Sequence, residues 1–567
     1  EIDLWPSFFI LNFSMFGFKN HPRGLRTLFF TEMWERFSFY GMRGILILFL
    51  TALVQNGGLG LNDKTAAAIY GLYTASIYLA SLPGGWVADR LIGARNAVFL
   101  GGILIVIGQF TLIFPSIQTF FLGLLFVVMG TGLLKPNISV MVGLLYPEGG
   151  VKQDSGFTIF YMGINVGAAI GSVLVGYLGE NINWHLGFSA AGVGMILGLI
   201  QFKLTGHYLG DIGKLDKKSQ PDRIDENRMS KKRDWSILGV GLFLLFAGVC
   251  LLMTGVISLE PVLLAEKAAL LILGLALLFF LYAFFLAGLT TVEKKRVGVI
   301  ALLFVASAMF FSGFEQAGSS LNIFAERYTC RDLSGLAGIL PATWLSYLNP
   351  VPASWFQSLN PVFIVVLAPM VASAWPALAK YNCNPPLIIK FAIGLLLLAL
   401  GFLVIAAGAR MVGDQGQVWP TWLISTYLIH TLGELCLSPV GLSTVSKLSP
   451  KKLVGQMMGI WFLSSALGNL IAGLIAGNIH EAEVAQPPVA IVEFVDVQTL
   501  EPAVDREIVL GGDVAEMEQS RTLQEGRESQ GMLISRQFMR IVWFALGVAG
   551  LLFILSGRVR KITEEIE

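Results

Sequence analysis

Between Thr27 and Leu50 the chain reads TLFFTEMWERFSFYGMRGILILFL, an apolar stretch that nonetheless holds Glu32, Glu35, Arg36 and Arg43. If it is helical, the advance of 100° per residue puts Glu32, Glu35, Arg36, Tyr40 and Arg43 on one broad face. Glu32 and Arg43 are then about 16 Å apart along the axis, so the polar face runs through the segment rather than sitting at its rim. Comparable isolated charges occur at Lys135 in GTGLLKPNIS, where Pro136 weakens the helical ladder, at Glu315 in MFFSGFEQAGSSLN and at Glu434 in HTLGELCLSPVGLS. Burial favours a protonated carboxyl and an adjacent cation favours the carboxylate, so acids and bases in such surroundings can trade a proton for an ion pair when a partner moves. A static set in which Glu32 and Glu35 neutralise Arg36 is the structural alternative. The further unmatched charges on other segments weigh against it.

The elements that would position these residues are membrane helices. The 567 residues are 55% hydrophobic and only 14% charged, against roughly 25% charged in a soluble domain. Apolar runs of about 20 residues, each long enough to cross roughly 30 Å of hydrocarbon, recur throughout. Fourteen are expected, at 26–54, 66–88, 96–114, 119–146, 156–179, 185–204, 235–257, 264–290, 297–324, 356–379, 386–409, 419–447, 454–477 and 537–557. A charge at the bilayer centre costs about 2.5–3.5 kcal/mol on insertion scales, which makes Glu32, Glu35, Arg36, Arg43, Lys135, Glu315 and Glu434 the functional candidates.

Arg23, Arg90, Arg95, Lys152, the run Lys231, Lys232 and Arg233, Lys294 to Arg296, Lys451, Lys452 and Arg558 to Lys561 fall in alternate loops. The positive-inside rule then places both termini in the cytoplasm, as an even number of spans requires. Residues 1–23 are expected as a cytoplasmic segment, 24–204 as a six-helix bundle, 205–233 as a cytoplasmic linker, 234–290 as two extra spans, 291–557 as a second six-helix bundle and 558–567 as a cytoplasmic tail. The extra spans carry almost no charge and read as lipid-facing. The acidic stretch 478–535 is expected outside, either as a solvated insert or with AIVEFVDV and REIVL paired as a β-hairpin. The stretch Glu1 to Phe18 lacks the basic region and cleavage site of a signal peptide. Four cysteines are scattered without metal or redox spacing. Metal-protease, phosphate-loop, nucleophile-elbow and channel-filter motifs are missing from the sequence, which speaks against an enzyme or a channel.

Several motifs resemble one family. Glu32-x-x-Glu35-Arg36-Phe37-x-Phe39-Tyr40 is similar to the E-x-x-E-R-F-x-Y-Y motif of the proton-dependent oligopeptide transporters of the major facilitator superfamily, with Phe39 in place of the usual first tyrosine. Gly84 to Gly108, GGWVADRLIGARNAVFLGGILIVIG, and Phe157 to Ala169, FTIFYMGINVGAA, resemble two further signatures, the second departing at Ala169. Lys135, Glu315, Asn360-Pro361, GELCLSPVGLS and Trp461 extend the resemblance over nearly the whole chain.

The resemblance implies an all-α polytopic protein with two six-helix bundles around a central cavity and two extra helices of the prokaryotic type, in a bacterial inner membrane. It implies a proton-driven importer of di- and tripeptides without a cofactor or a nucleic-acid partner; a same-fold carrier of nitrate or an amino acid derivative is the alternative. Carried onto matching positions, Glu32, Glu35, Arg36, Arg43, Lys135 and Glu315 would couple protons. Arg36, Arg43 and Lys135 would face a peptide carboxylate and Glu434 the amino group. Asn165 and Asn360 would bind polar groups, Tyr40, Tyr78 and Trp461 would line side-chain pockets, and Asp89 and Arg90 would gate.

Overall fold

The computed structural model describes residues 18–148, 150–215, 224–256, 260–336, 341–381, 385–412, 416–450, 452–480 and 512–563. Among them the chain is all-helical apart from one isolated bridge, Thr329 to Val418. The first half comprises α1 (Arg23–Thr51), α2 (Asp63–Val87), α3 (Ala94–Thr111), α4 (Ile117–Leu144), α5 (Val151–Tyr177) and α6 (Trp184–Thr205). Then come α7 (Ile224–Met253) and α8 (Pro261–Phe285). The second half comprises α9 (Thr291–Phe314) with its continuation α10 (Ser320–Tyr328), the short α11 (Ala342–Leu348), then α12 (Leu359–Lys380), α13 (Leu387–Arg410), α14 (Thr421–Leu448), α15 (Val454–His480) and α16 (Gly512–Thr563).

Local chemistry explains several boundaries. The Asn62 side chain accepts from the Thr65 amide at 2.8 Å to start α2, and Thr290 with Glu293 forms a reciprocal capping box on α9. Twelve helices are long and apolar enough to cross a membrane, counting α9 and α10 as one span. The other two are α1 and α14, and α1 differs because its 29 residues include Arg23, Arg26, Glu32, Glu35, Arg36 and Arg43. Both are 28 residues or longer and pack within the halves as the other spans do. The fold is thus two six-helix bundles plus two extra spans, fourteen in all. No residue in the apolar window of α7 is buried, which suits a helix facing lipid.

Without a hydrophobic force between helices in lipid, close packing depends on small residues. α5 presents Gly167 and Gly171 to α1, and a Cβ there would lie 2.1 Å from the Met33 carbonyl oxygen and 2.3 Å from that of Phe37. α1 therefore lies backbone-to-backbone on α5, which fixes the rotation of its charged face.

Three expectations change. The span expected to run unbroken over 297–324 is interrupted at Glu315–Gly318 by a turn of 3₁₀ helix. The linker expected over 205–233 is already helical from Ile224, as the start of α7. The acidic insert is helical from Gly512, where Glu, Gln, Arg, Ala and Met without proline favour helix and the polar composition alone suggested a loop. The two segments expected to form a hairpin, and residues 1–17, lie outside the described residues.

Candidate functional site

α1 carries the charged face as its sequence dictates. Arg36 Nε donates to Glu32 Oε1 at 2.7 Å and lies 2.8 Å from Glu35 Oε2, and all three side chains are at most 4% exposed. Two carboxylates thus share one guanidinium, leaving Glu32 Oε2, Glu35 Oε1 and Arg36 Nη2 buried without a protein partner among the described residues. Such atoms are costly to bury and are available to a ligand, water or a proton. Lys135 on α4 forms no salt bridge among the described residues; its Nζ sits 4.3 Å from the ring centroid of Tyr78 on α2, a cation–π contact.

Two turns further along α1, Arg43 reaches the other half. Its Nη2 donates to Glu315, which the break between α9 and α10 presents, and its Nε donates to the Tyr70 hydroxyl. The rings of Tyr40 and Tyr70 flank the guanidinium at 5.6 and 5.7 Å. Gly318 makes room for this arrangement, because a Cβ there would collide with the Tyr70 hydroxyl. Beside it the Gly44 carbonyl accepts from Asn322 at 2.8 Å and Gln357 at 3.3 Å, and Arg327 on α10 binds Asp63 at the start of α2 through two bonds of 2.7 and 2.8 Å. The contacts of Glu315, Asn322, Gln357 and Arg327 with the first half join the halves toward the C-terminal end of α1, so that end is closed.

Glu434 on α14 is held within the second half, its Oε2 accepting from Asn360 Nδ2 at 2.9 Å, while the same nitrogen lies 3.0 Å from the Thr431 hydroxyl. Asn165 donates to the Tyr161 carbonyl within α5 at 2.9 Å. Tyr70, whose hydroxyl accepts from Arg43, is the site residue that motif reading passed over.

Three further expected positions, Trp461, Asp89 and Arg90, are placed as follows. Trp461 is 7% exposed and packed on Phe391 and Gly441 within the second half. Asp89 and Arg90 sit in the turn after α2, away from the cluster, and Arg90 pairs with Asp234 of the extra helix α7 at 3.5 Å. Among the described residues no group of three or more His, Cys, Asp or Glu side chains could hold a metal ion.

Comparison with known proteins decides the family. The family model of the POT family matches residues 95–492, 70% of the chain. The chain belongs to the POT family. It is 41% identical to the peptide transporter YePEPT of Yersinia enterocolitica over 483 residues, covering 83% of this chain and 90% of the relative. It is 36% identical to a di-/tripeptide transporter of Lactococcus lactis over 462 residues, covering 80% and 89%. Among solved structures, a peptide transporter POT in complex with alafosfalin superposes with a TM-score of 0.76 at 36% identity over 96% of both chains. A POT family transporter in complex with 5-aminolevulinic acid gives 0.75 at 32% identity over 96% and 98%. This POT member is a multi-pass membrane transporter and not an enzyme, and the acids and bases of α1 lie upstream of the residues that the family model matches.

Proposed function

We propose that the chain is a proton-coupled symporter that imports di- and tripeptides by alternating access, in a bacterial inner membrane with both termini cytoplasmic. The relatives named as peptide and di-/tripeptide transporters support the substrate class. The observation that carries the mechanism is the Arg43–Glu315 pair, which joins the halves two turns along the same face of α1 from the Glu32–Arg36–Glu35 cluster. With the N-terminus inside, the closed end faces outward. Protonating Glu315 removes one partner of that pair, so proton binding favours the conformation in which the halves part there; a ligand shifts an equilibrium only through such differential affinity.

A peptide is a zwitterion, and in this reading Arg36 and Lys135 in the first half meet its carboxylate while Glu434 in the second meets its amino group. Binding then draws the halves together. Tyr40, Tyr78 and Tyr161 offer aromatic walls that accept varied side chains, and Asn165 and Asn360 supply donors and acceptors. Arg43 would pass from Glu315 to the peptide carboxylate as the proton enters. No cofactor is needed, since the proton gradient drives the cycle. An amino acid derivative presents the same two charges, and the relative holding 5-aminolevulinic acid keeps that substrate class in view.

Counterflow in proteoliposomes tests the reading. Labelled dipeptide should enter vesicles loaded with unlabelled dipeptide, and tripeptide should compete. Entry competed by nitrate or 5-aminolevulinate but not by peptides would contradict it.

A further inference from the structure

Arg43 is held from both halves, by different nitrogens. Its Nη2 donates to Glu315 in the break between α9 and α10, in the second half, while its Nε donates to the Tyr70 hydroxyl on α2, in its own half. The centroid of the Tyr70 ring also lies 5.7 Å from the guanidinium carbon, and that of the Tyr40 ring on α1 lies 5.6 Å from it. Tyr70 is 1% exposed, so in this closed arrangement it is out of a peptide's reach. Its hydroxyl has room only because residue 318 is glycine, where a Cβ would collide with it. Gly318 belongs to the second half, as Glu315 does, whereas Tyr40 and Tyr70 belong to the first.

We propose that Tyr70 is a positioning residue that anchors Arg43 while the partner of Arg43 changes. A guanidinium is planar and rigid, so holding Nε fixes the directions in which Nη1 and Nη2 point. When the halves part at the outer end, the bond to Glu315 must break, because Arg43 and Glu315 lie in different halves. The bond to Tyr70 need not, because α1 and α2 belong to one bundle. The two aromatic rings confine the guanidinium, and the hydroxyl sets its rotation between them. The terminal nitrogens then keep facing the gap between the halves, and a carboxylate arriving there meets donors already in place. Without the hydroxyl, Arg43 would become a long, loosely held side chain once Glu315 let go, and its ordering would count against each binding event. The inference rests on the reading that Arg43 passes to the peptide carboxylate, and it names the residue that keeps Arg43 ready for that exchange.

Binding of a dipeptide and of its C-terminal amide, followed by calorimetry on the purified full chain, tests this. The measurements use a Glu315→Gln background, so that Arg43→Ala strands no buried carboxylate of that pair. Tyr70→Phe keeps the ring and removes the hydroxyl. With Arg43 present it should raise the dipeptide Kd about tenfold, the effect of losing one hydrogen bond to a charged group, and leave the Kd of the amide unchanged. With Arg43→Ala in place, adding Tyr70→Phe should change neither. An unchanged dipeptide Kd in Tyr70→Phe would overturn the proposal. So would equal weakening of dipeptide and amide, which would make Tyr70 ordinary core, or the same weakening without Arg43, which would make it a contact in its own right. If Arg43→Ala alone left the preference for the free carboxylate intact, the carboxylate reading of Arg43 would fall, and the anchor with it.

Discussion

Gly473 on α15 rests on α2, and replacing it with alanine should hold the outer mouth open. The two helices belong to opposite halves, and a Cβ at Gly473 would lie 2.5 Å from the Ala67 carbonyl oxygen and 2.9 Å from the Gly71 Cα. Carbon and oxygen approach ordinarily to about 3.3 Å, so the helices must separate by about 0.8 Å at this point. Both neighbours are backbone atoms, and no rotamer change relieves the clash. Overpacking of this kind costs about 1–3 kcal/mol. Because the cost falls only on the conformation in which α2 and α15 touch, the ratio of open to closed forms should rise about 5- to 150-fold. Ser319→Cys reports it: Ser319 is fully buried beside the Arg43–Glu315 junction, and its hydroxyl has no hydrogen-bond partner among the described residues, so the substitution removes no bond seen there. Maleimide labelling of this cysteine in a chain without the native four should accelerate in Gly473→Ala. Gly101→Ala is the control, with a Cβ 2.6 Å from the Gly130 carbonyl oxygen inside the first half. It should burden both conformations alike and leave labelling unchanged. Equal acceleration in both variants, or none in Gly473→Ala, would refute the reasoning.

Arg36→Ala should abolish gradient-driven uptake while the protein still reaches the membrane, because it strands two buried carboxylates; quantitative membrane blotting alongside uptake checks this. Glu434→Ala should weaken binding of peptides with a free amino terminus by about 2–5 kcal/mol and barely affect N-acetylated ones, as calorimetry with the matched pair would reveal. Glu315→Gln should fail to accumulate peptide against a gradient yet retain counterflow, which needs no net proton movement. Normal accumulation in that variant would remove Glu315 from the coupling.

The charged face of α1 was legible because charge in an apolar stretch is expensive and therefore conspicuous. Helical periodicity then sufficed to put Glu32, Glu35, Arg36 and Arg43 together, as the 2.7 Å bond of Arg36 to Glu32 bears out. Pairing across the halves was less accessible: Arg43 and Glu315 are 272 residues apart, and no local pattern reports which helices meet. The break at Glu315 carries no proline, and its local signal is only Gly318 followed by Ser319 and Ser320. Tyr70, Tyr161 and Trp461 illustrate the ambiguity of aromatics. In sequence they look alike, whereas in the fold the first bonds a buried guanidinium, the second is 39% exposed on α5 and the third packs on Phe391.

Accumulation of a labelled dipeptide in proteoliposomes under an imposed proton gradient tests the central claim most directly. With acid outside and the membrane potential clamped, internal peptide should rise above its external concentration and fall back when a protonophore is added. Equilibration without accumulation, in vesicles where counterflow is intact, would show that peptide and proton are not coupled and that the buried acids of α1 and of the break between α9 and α10 serve only to hold the helices together.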